Sequence, residues 1–515
     1  MRRYEIAPLE TLGVRRLGGH SPTWATLSGK RSSKRRNVLC VSFTFLVLAV
    51  CLAAAAVQAQ GFNREGNLAA TLASLDPGPR PGPVNPPTNP GNAVPGLTSG
   101  QQSAFQNGLV QFNEAEPVSL ADGPGNGGLG PTYNSDSCGS CHSQPATGGT
   151  SPSMKAFPFV GNIAGQNPQF TVGQKNGGTN SIPFFVTANG PVREARFKSD
   201  GGVHDLFTIR GRTDVSNPPN NCTLPQPDFR AEAARGNLSF RIPTPVFGAG
   251  LIENISENTI LANLASSASP RLGIHGVPNR SGNDGSITRF GWKAQNKSLL
   301  IFAGEAYNVE MGITNELFPN ERGYPANPIP DECLLNPTPE DITIFDTATP
   351  PATPALSDVE QFAVFMRFLD QPAPACGTGT GIVCAQAAAG NVVFMQIGCA
   401  NCHTPLLTTT TSEFAPAALS GVQAKLFSDL ALHHMGTRLA DGITQGNAGT
   451  DQFRTAPLWG VGQRVFFLHD GRTANLVQAI LEHESPGSEA SQVVENFEGL
   501  SRQDEANLIV FLRSL

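Results

Sequence analysis

The sequence predicts a mainly α-helical protein of two domains, on three observations. A Cys-x-x-Cys-His run occurs twice, at Cys138–His142 and Cys399–His403. Amphipathic helical patterning brackets the second run, and a proline-rich stretch, residues 336–354, separates the two halves. In an exported chain such a run reads as a c-type haem attachment site, where two thiols add to the vinyl groups and the histidine is held against the iron. A thioredoxin-like redox pair needs no following histidine, and zinc usually wants a second nearby Cys/His pair.

Taken in order, the chain opens with a long extension, residues 1–30. Arg31 to Arg36 then form a basic region, Val38 to Ala56 an apolar run, and Val57-Gln58-Ala59 a small-residue cleavage pattern. Residues 1–59 therefore read as a signal peptide with an N-terminal extension, and the expected location is the periplasm. A membrane anchor is the competing reading of the same apolar run. Of 35 Lys/Arg and 41 Asp/Glu, residues 1–59 carry nine and two, so the remainder holds 26 basic and 39 acidic groups, net −13. That balance argues against nucleic-acid binding and favours a basic partner. Ten cysteines become four once Cys40, Cys51 and the two motifs are set aside. Cys376 with Cys384 and Cys222 with Cys333 is the simplest pairing of these, with the others open.

Residues 60–97, dense in Pro, Gly and Asn from Asp76 to Pro95, read as a tether. The first domain is expected over 98–335, beginning with a short helix that presents Ala104, Leu109, Val110 and Phe112. Gly123–Pro131 is a connector, since no strand, Gly-loop, helix pattern surrounds it. Short β-like runs follow at Phe184–Val186 and Leu206–Ile209, around the turn Asn189-Gly190-Pro191. Pro243, Pro245, Gly248 and Gly250 forbid a continuous helix until about Leu251. Arg280 to Arg322 reads as irregular.

After a linker over 336–356, the second domain is expected over 357–515. Ser357 and Glu360 form a capping box ahead of a face of Val359, Phe362, Ala363, Met366 and Leu369. Ser501 and Asp504 repeat the arrangement ahead of Leu508, Ile509, Leu512 and Leu515. Helices at both ends of the second motif can clamp a flat apolar cofactor. The expected fold class is mainly α, with two cytochrome c-like haem domains, the N-terminal one enlarged by irregular and short β insertions.

Beyond the proximal histidines, what occupies the sixth position at each iron sets its chemistry. For the second haem the candidates are Met395, His433, His434, Met435, His469 and His483. Met435, 32 residues past His403, is preferred, with core packing as its ordinary alternative. For the first haem His204 leads and His275 is second, although a lone histidine is more often structural. Glu305 and Glu310 could act as acid or base, or be solvated carboxylates. Trp292 could lie between the cofactors, or be a core residue.

The run Phe466-Phe467-Leu468-His469-Asp470-Gly471-Arg472, followed by Ala479-Ile480, resembles the C-terminal signature of bacterial di-haem cytochrome c peroxidases. Gly127–His142, Phe240–Asn254, Arg289–Thr314, Leu432–Gly442 and Arg454–Gly462 resemble more closely the di-haem oxidoreductase, putative peroxidase family, over about Thr98 to Leu515. The resemblance implies that Cys138, Cys141 and His142 hold a peroxidatic haem, and that Cys399, Cys402 and His403 hold an electron-transfer haem with Met435 as distal ligand. It implies Trp292 as the aromatic between haems, Glu310 of the Glu310-Met311 pair as the carboxylate for peroxide cleavage, and a calcium ion, for which no compact acidic loop stands out. One departure is the distal histidine that the peroxidases carry soon after the first motif: here no histidine follows His142 until His204.

The function expected on these grounds is peroxide reduction with electrons from a small cytochrome c or cupredoxin. The alternatives are a di-haem electron carrier and a di-haem oxidase of another substrate. A homodimer is compatible with the chain.

Overall fold

Two pairs of helices, each closed on a glycine, frame the protein. The computed structural model describes residues 74–79, 90–118, 128–150, 152, 165–174, 179–210, 222–323, 329–346, 353–376, 381–413 and 415–515. The segment expected to be a signal peptide and most of residues 60–97, expected to be a tether, lie outside them. Helix Ser99–Asn113 opens on a reciprocal capping box between Thr98 and Gln101 and packs on helix Asp358–Phe368. The contact is close because Gly108 has no side chain: a Cβ there would lie 2.5 Å from the Gln361 carbonyl oxygen. Helix Ile382–Ile397 packs on the last helix, Arg502–Ser514, and a Cβ on Gly390 would lie 1.9 Å from the Asn507 carbonyl oxygen.

The capping box of Ser357 and Glu360 forms as expected. Ser501 accepts from the Asp504 amide, and the Asp504 carboxylate takes the Ser501 hydroxyl instead of reaching back to the backbone. Two apolar cores follow. Phe105, Phe112, Tyr307, Phe362 and Phe365 belong to one, and Phe394, Phe497, Leu508, Phe511 and Leu512 to the other. A small cluster of Ile242, Trp292 and Phe453 stands apart from both. The sheets of the described residues are five antiparallel pairs of short strands. Glu194–Phe197 pairs with Leu238–Arg241, setting Glu194 opposite Arg241, and Leu432–His434 pairs with Gln452–Arg454. The expected pairing of cysteines is found, Cys222–Cys333 and Cys376–Cys384.

Several expectations change. Phe184–Val186 is a turn, not a strand: Phe185 is buried edge-on against Phe229 while Phe184 stays exposed under Arg230. The region read as irregular contains helix Leu299–Met311, capped by Ser298 and ended by left-handed Gly312. Its apolar residues run round the helix without a single stripe, because it is buried on several sides, so the amphipathic signal is weak. Helix Asp358–Phe368, which the sequence assigns to the second half, contributes Phe362 and Phe365 to the first core. The described start of the tether is fastened: the Asp76 carboxylate, almost fully buried, meets Arg513 at 2.7 Å and accepts the Leu476 amide. The described residues include no helix long and apolar enough to cross a membrane.

Gly390→Ala should cost about 2 kcal/mol, the scale of overpacking a tight contact, and lower the thermal midpoint. Gly100→Ala, where nothing lies within 4 Å of the added atom, should leave it unchanged or slightly raised. Equal midpoints for the two variants would show that the helix pair is not closed at Gly390.

Candidate functional site

The first Cys-x-x-Cys-His run is a single helical turn, Cys138–Cys141, entered from extended Ser137. It forms one wall of a cavity. His142 gives its Nδ1 hydrogen to the Gly149 carbonyl at 3.0 Å, which leaves Nε2 as the free lone pair. Burial lowers its pKa to about 4, so the ring is neutral, the form that ligates metal. Burial also pushes both thiols up, Cys141 to about 12. A redox pair would show the opposite shift, towards thiolate.

Across this cavity stand Glu194, Arg196, Arg241, Glu305 and Glu310. Glu310 and Glu194 are hydrogen-bonded to each other, and burial followed by the charge of Glu194 raises Glu310 well above the usual carboxyl range. Burial works against Glu194 too, but Arg196 and Arg241 hold it below its ordinary value. One carboxyl is thus neutral and its neighbour ionised, an acid beside a base. Asn134 Nδ2 donates to Glu310 Oε2 at 3.0 Å and orients the acid. Arg241 is itself fixed by Asp441 at 2.7 Å, and Asp441 also meets Lys293 at 3.2 Å, with all three side chains buried.

The second run, a 3-10 turn over Cys399–Asn401 after left-handed Gly398, borders a second cavity. His403 repeats the geometry of His142: Nδ1 donates to the Phe427 carbonyl at 3.0 Å, and burial lowers its pKa to about 4. Burial pushes Cys399 up to about 12. The walls are otherwise largely apolar, apart from Arg454, Arg464, a few histidines, Thr455 and Glu489, whose carboxylate is taken up by His433. Arg454 reaches only the Gly291 and Thr455 carbonyls, and Arg464 has no carboxylate partner among the described residues. Burial lowers both guanidinium groups to about 10. Two buried cations in an apolar cavity need an anion from the occupant. A porphyrin brings a flat apolar body and two carboxylates, so these residues fit a haem.

Trp292 lines both cavities. Its indole nitrogen donates to the Ile242 carbonyl at 2.8 Å, and its ring meets His469 edge-on at 6.4 Å. The structure therefore brings together, of the expected residues, both motifs, Trp292, Glu305 and Glu310, and sets Met435 on the second cavity. His204 is not brought in. It lies outside the lining of the first cavity, stacked on Phe197 at 3.6 Å and bonded through Nε2 to Asp200 at 3.1 Å. His275 lines neither cavity. For calcium, the described residues contain no group of three or more His, Cys, Asp or Glu arranged to hold a metal. Glu194, Arg196, Arg241, Arg454 and Arg464 were not singled out from the sequence. The alternation Glu194, Arg196 was a legible strand signal, but nothing local paired it with Glu310.

Tyr307 closes the first cavity near Cys138. Its hydroxyl lies 2.9 Å from Asp358 and 3.0 Å from Glu116. One hydroxyl hydrogen cannot serve two carboxylates, and Glu116 is the one that stays protonated: burial, then Asp358, push it up to about 8.

The model of a family described as "Di-haem oxidoreductase, putative peroxidase" matches residues 230–515. Among solved structures, the chain is similar to one described as "Crystal structure of a MauG-like protein associated with microbial copper homeostasis". The identity is 16% over 51% of this chain and 89% of that one, with a TM-score of 0.25. No curated protein matches.

Glu116 makes stability depend on pH. With a folded pKa of about 8 against an ordinary 4.5, the folded state binds more protons than the unfolded one between those values, so stability falls as pH rises through them. Asp341, up to about 6, and Glu340, up to about 7, act in the same direction. Above about pH 6.5, where the histidines that burial holds neutral no longer oppose the trend, the thermal midpoint should fall towards pH 8, and Glu116→Gln should flatten that fall. A midpoint that rises over the range would contradict the protonated Glu116.

Proposed function

The chain belongs to the di-haem oxidoreductase, putative peroxidase family, and on that premise we propose an exported di-haem c-type oxidoreductase that reduces hydrogen peroxide with electrons from a small redox protein. The observation that carries this reading is Trp292, shared by the walls of two cavities that each present a Cys-x-x-Cys pair and a carbonyl-bonded histidine. Cys138, Cys141 and His142 hold one haem, and Cys399, Cys402 and His403 the other. The first haem domain consists of residues 98–335 together with helix Asp358–Phe368, and the second of residues 369–515. Bound haem supplies one-electron redox chemistry at both sites and a Lewis-acidic iron for peroxide at the first.

The two cavities divide the work by their linings. In the first, Glu310 holds the proton that peroxide cleavage needs at the departing oxygen, and Asn134 fixes the other carboxyl oxygen. Glu194 remains ionised between Arg196 and Arg241 and keeps the proton on Glu310. Among the described residues His142 is the imidazole that lines this cavity, beside the thioethers of Met311 and Met366, and no second histidine there competes with peroxide. In the second, the apolar walls exclude water while Arg454 and Arg464 set a positive potential that favours electron arrival. Trp292 joins the two, held by its hydrogen bond to Ile242.

Glu310→Gln should lower kcat/KM for peroxide by roughly 10²–10⁴-fold, the usual worth of a positioned acid. Pyridine haemochrome analysis should still count two haems per chain. Turnover at the parent rate would remove Glu310 from the mechanism. An EPR spectrum of the parent protein should show a high-spin ferric signal that peroxide abolishes. Two low-spin signals indifferent to peroxide would make the protein an electron carrier.

A further inference from the structure

Three histidines of this chain share one presentation. His142, His403 and His483 each give the Nδ1 hydrogen to a backbone carbonyl, of Gly149, Phe427 and Ala479, at 3.0, 3.0 and 2.7 Å. Each borders one of the two cavities. The first two are the histidines of the Cys-x-x-Cys-His runs. The third lies in no motif. A carbonyl bond at Nδ1 fixes the tautomer and leaves Nε2 as the donor, the arrangement that metal-bound imidazoles almost always show.

We propose that His483 is the second axial ligand of the haem held by Cys399, Cys402 and His403, in place of Met435. The inference rests on the reading that this motif binds haem. His483 acquires its geometry from a helix end. Helix Leu476–Leu481 leaves the Ala479 carbonyl near its terminus, and the His483 ring takes it four residues on. Ser488 Oγ then donates to the His483 carbonyl at 2.6 Å, so both the ring and the backbone of this residue are held.

The other candidates are otherwise engaged. His433 has Nδ1 on Glu489 at 2.8 Å and Nε2 on Asp429 at 2.9 Å, leaving no lone pair for a metal. His434 is half exposed, bonded to Asp451 and Gln452, and outside the cavity lining. His469 stacks on Phe453 at 4.4 Å, and no described residue bonds its ring to select a tautomer. Met395 turns half its surface to solvent. Met435 packs with Ile242, Trp292 and Phe453, where a flexible thioether serves as filler. Its loop is tied in space to the His483 turn, with Ser485 Oγ on the Met435 carbonyl at 3.4 Å.

Imidazole in place of thioether lowers a haem potential, since Met/His ligation is the combination that raises it. The test uses the full-length holoprotein with EPR and potentiometry of the C-terminal haem, and haemochrome analysis to count haems. Met435→Leu should leave the low-spin signal and the potential of this haem unchanged. His483→Met should raise its potential, and His483→Gly should turn it high-spin, with low spin restored by added imidazole. Loss of the low-spin signal in Met435→Leu, or an unchanged signal in both His483 variants, would overturn the assignment. Loss of that signal in His469→Ala with both His483 variants silent would transfer the role to His469. A haem count below two in the parent protein would instead defeat the reading of the motifs themselves.

Discussion

The salt-bridged cluster of Arg241, Asp441 and Lys293 is the interaction on which the two sites jointly depend. Its three side chains are almost wholly out of solvent, and removing one member of such a cluster typically costs 3–5 kcal/mol because the others are left charged and buried. Arg241 forms part of the first cavity and faces Glu194 across a strand pair. Lys293 follows Trp292, lies 4.1 Å over the Phe453 ring, and donates to the carbonyls of Gly449 and Gln452. The charge that keeps Glu194 ionised is therefore anchored to the same residues that hold the aromatic ring between the cavities.

The cavities differ in kind. Carboxyls and guanidinium groups that neutralise one another line the first, where proton position matters. The second is lined mostly by hydrocarbon, its carboxylate Glu489 is taken by His433, and its two guanidinium groups are left for the occupant to neutralise. The second cavity lies among helices Ile382–Ile397 and Arg502–Ser514, whereas the paired strands Glu194–Phe197 and Leu238–Arg241 and the helix Leu299–Met311 deliver polar side chains to the first.

Chemistry encoded in consecutive residues was legible in the sequence. The two Cys-x-x-Cys-His runs, the Ser357–Glu360 box and the apolar spacing of the last helix all carry their signal within a few positions. Trp292 and Glu310 were legible through resemblance. The partners that give them a role were not, because Glu194 lies 116 residues before Glu310 and Arg464 becomes a site residue only through the absence of a carboxylate near it. Helix Leu299–Met311 was missed for a related reason: a helix buried on several sides loses the periodic stripe by which a surface helix is recognised. His204 failed in the opposite direction, since an isolated histidine has no local feature that separates a ligand from a packed ring.

The ion pair of Asp76 and Arg513 joins residues 437 apart in sequence. It closes the described chain into a loop that encloses both cavities, and its acidic half also accepts the amide of Leu476, the first residue of the helix that leads to His483. Contacts of such separation form late, after the entropy of closing so long a loop has been overcome. Until then the last helix carries a buried guanidinium without its partner, so the second cavity is completed only when nearly the whole polypeptide has emerged and folded.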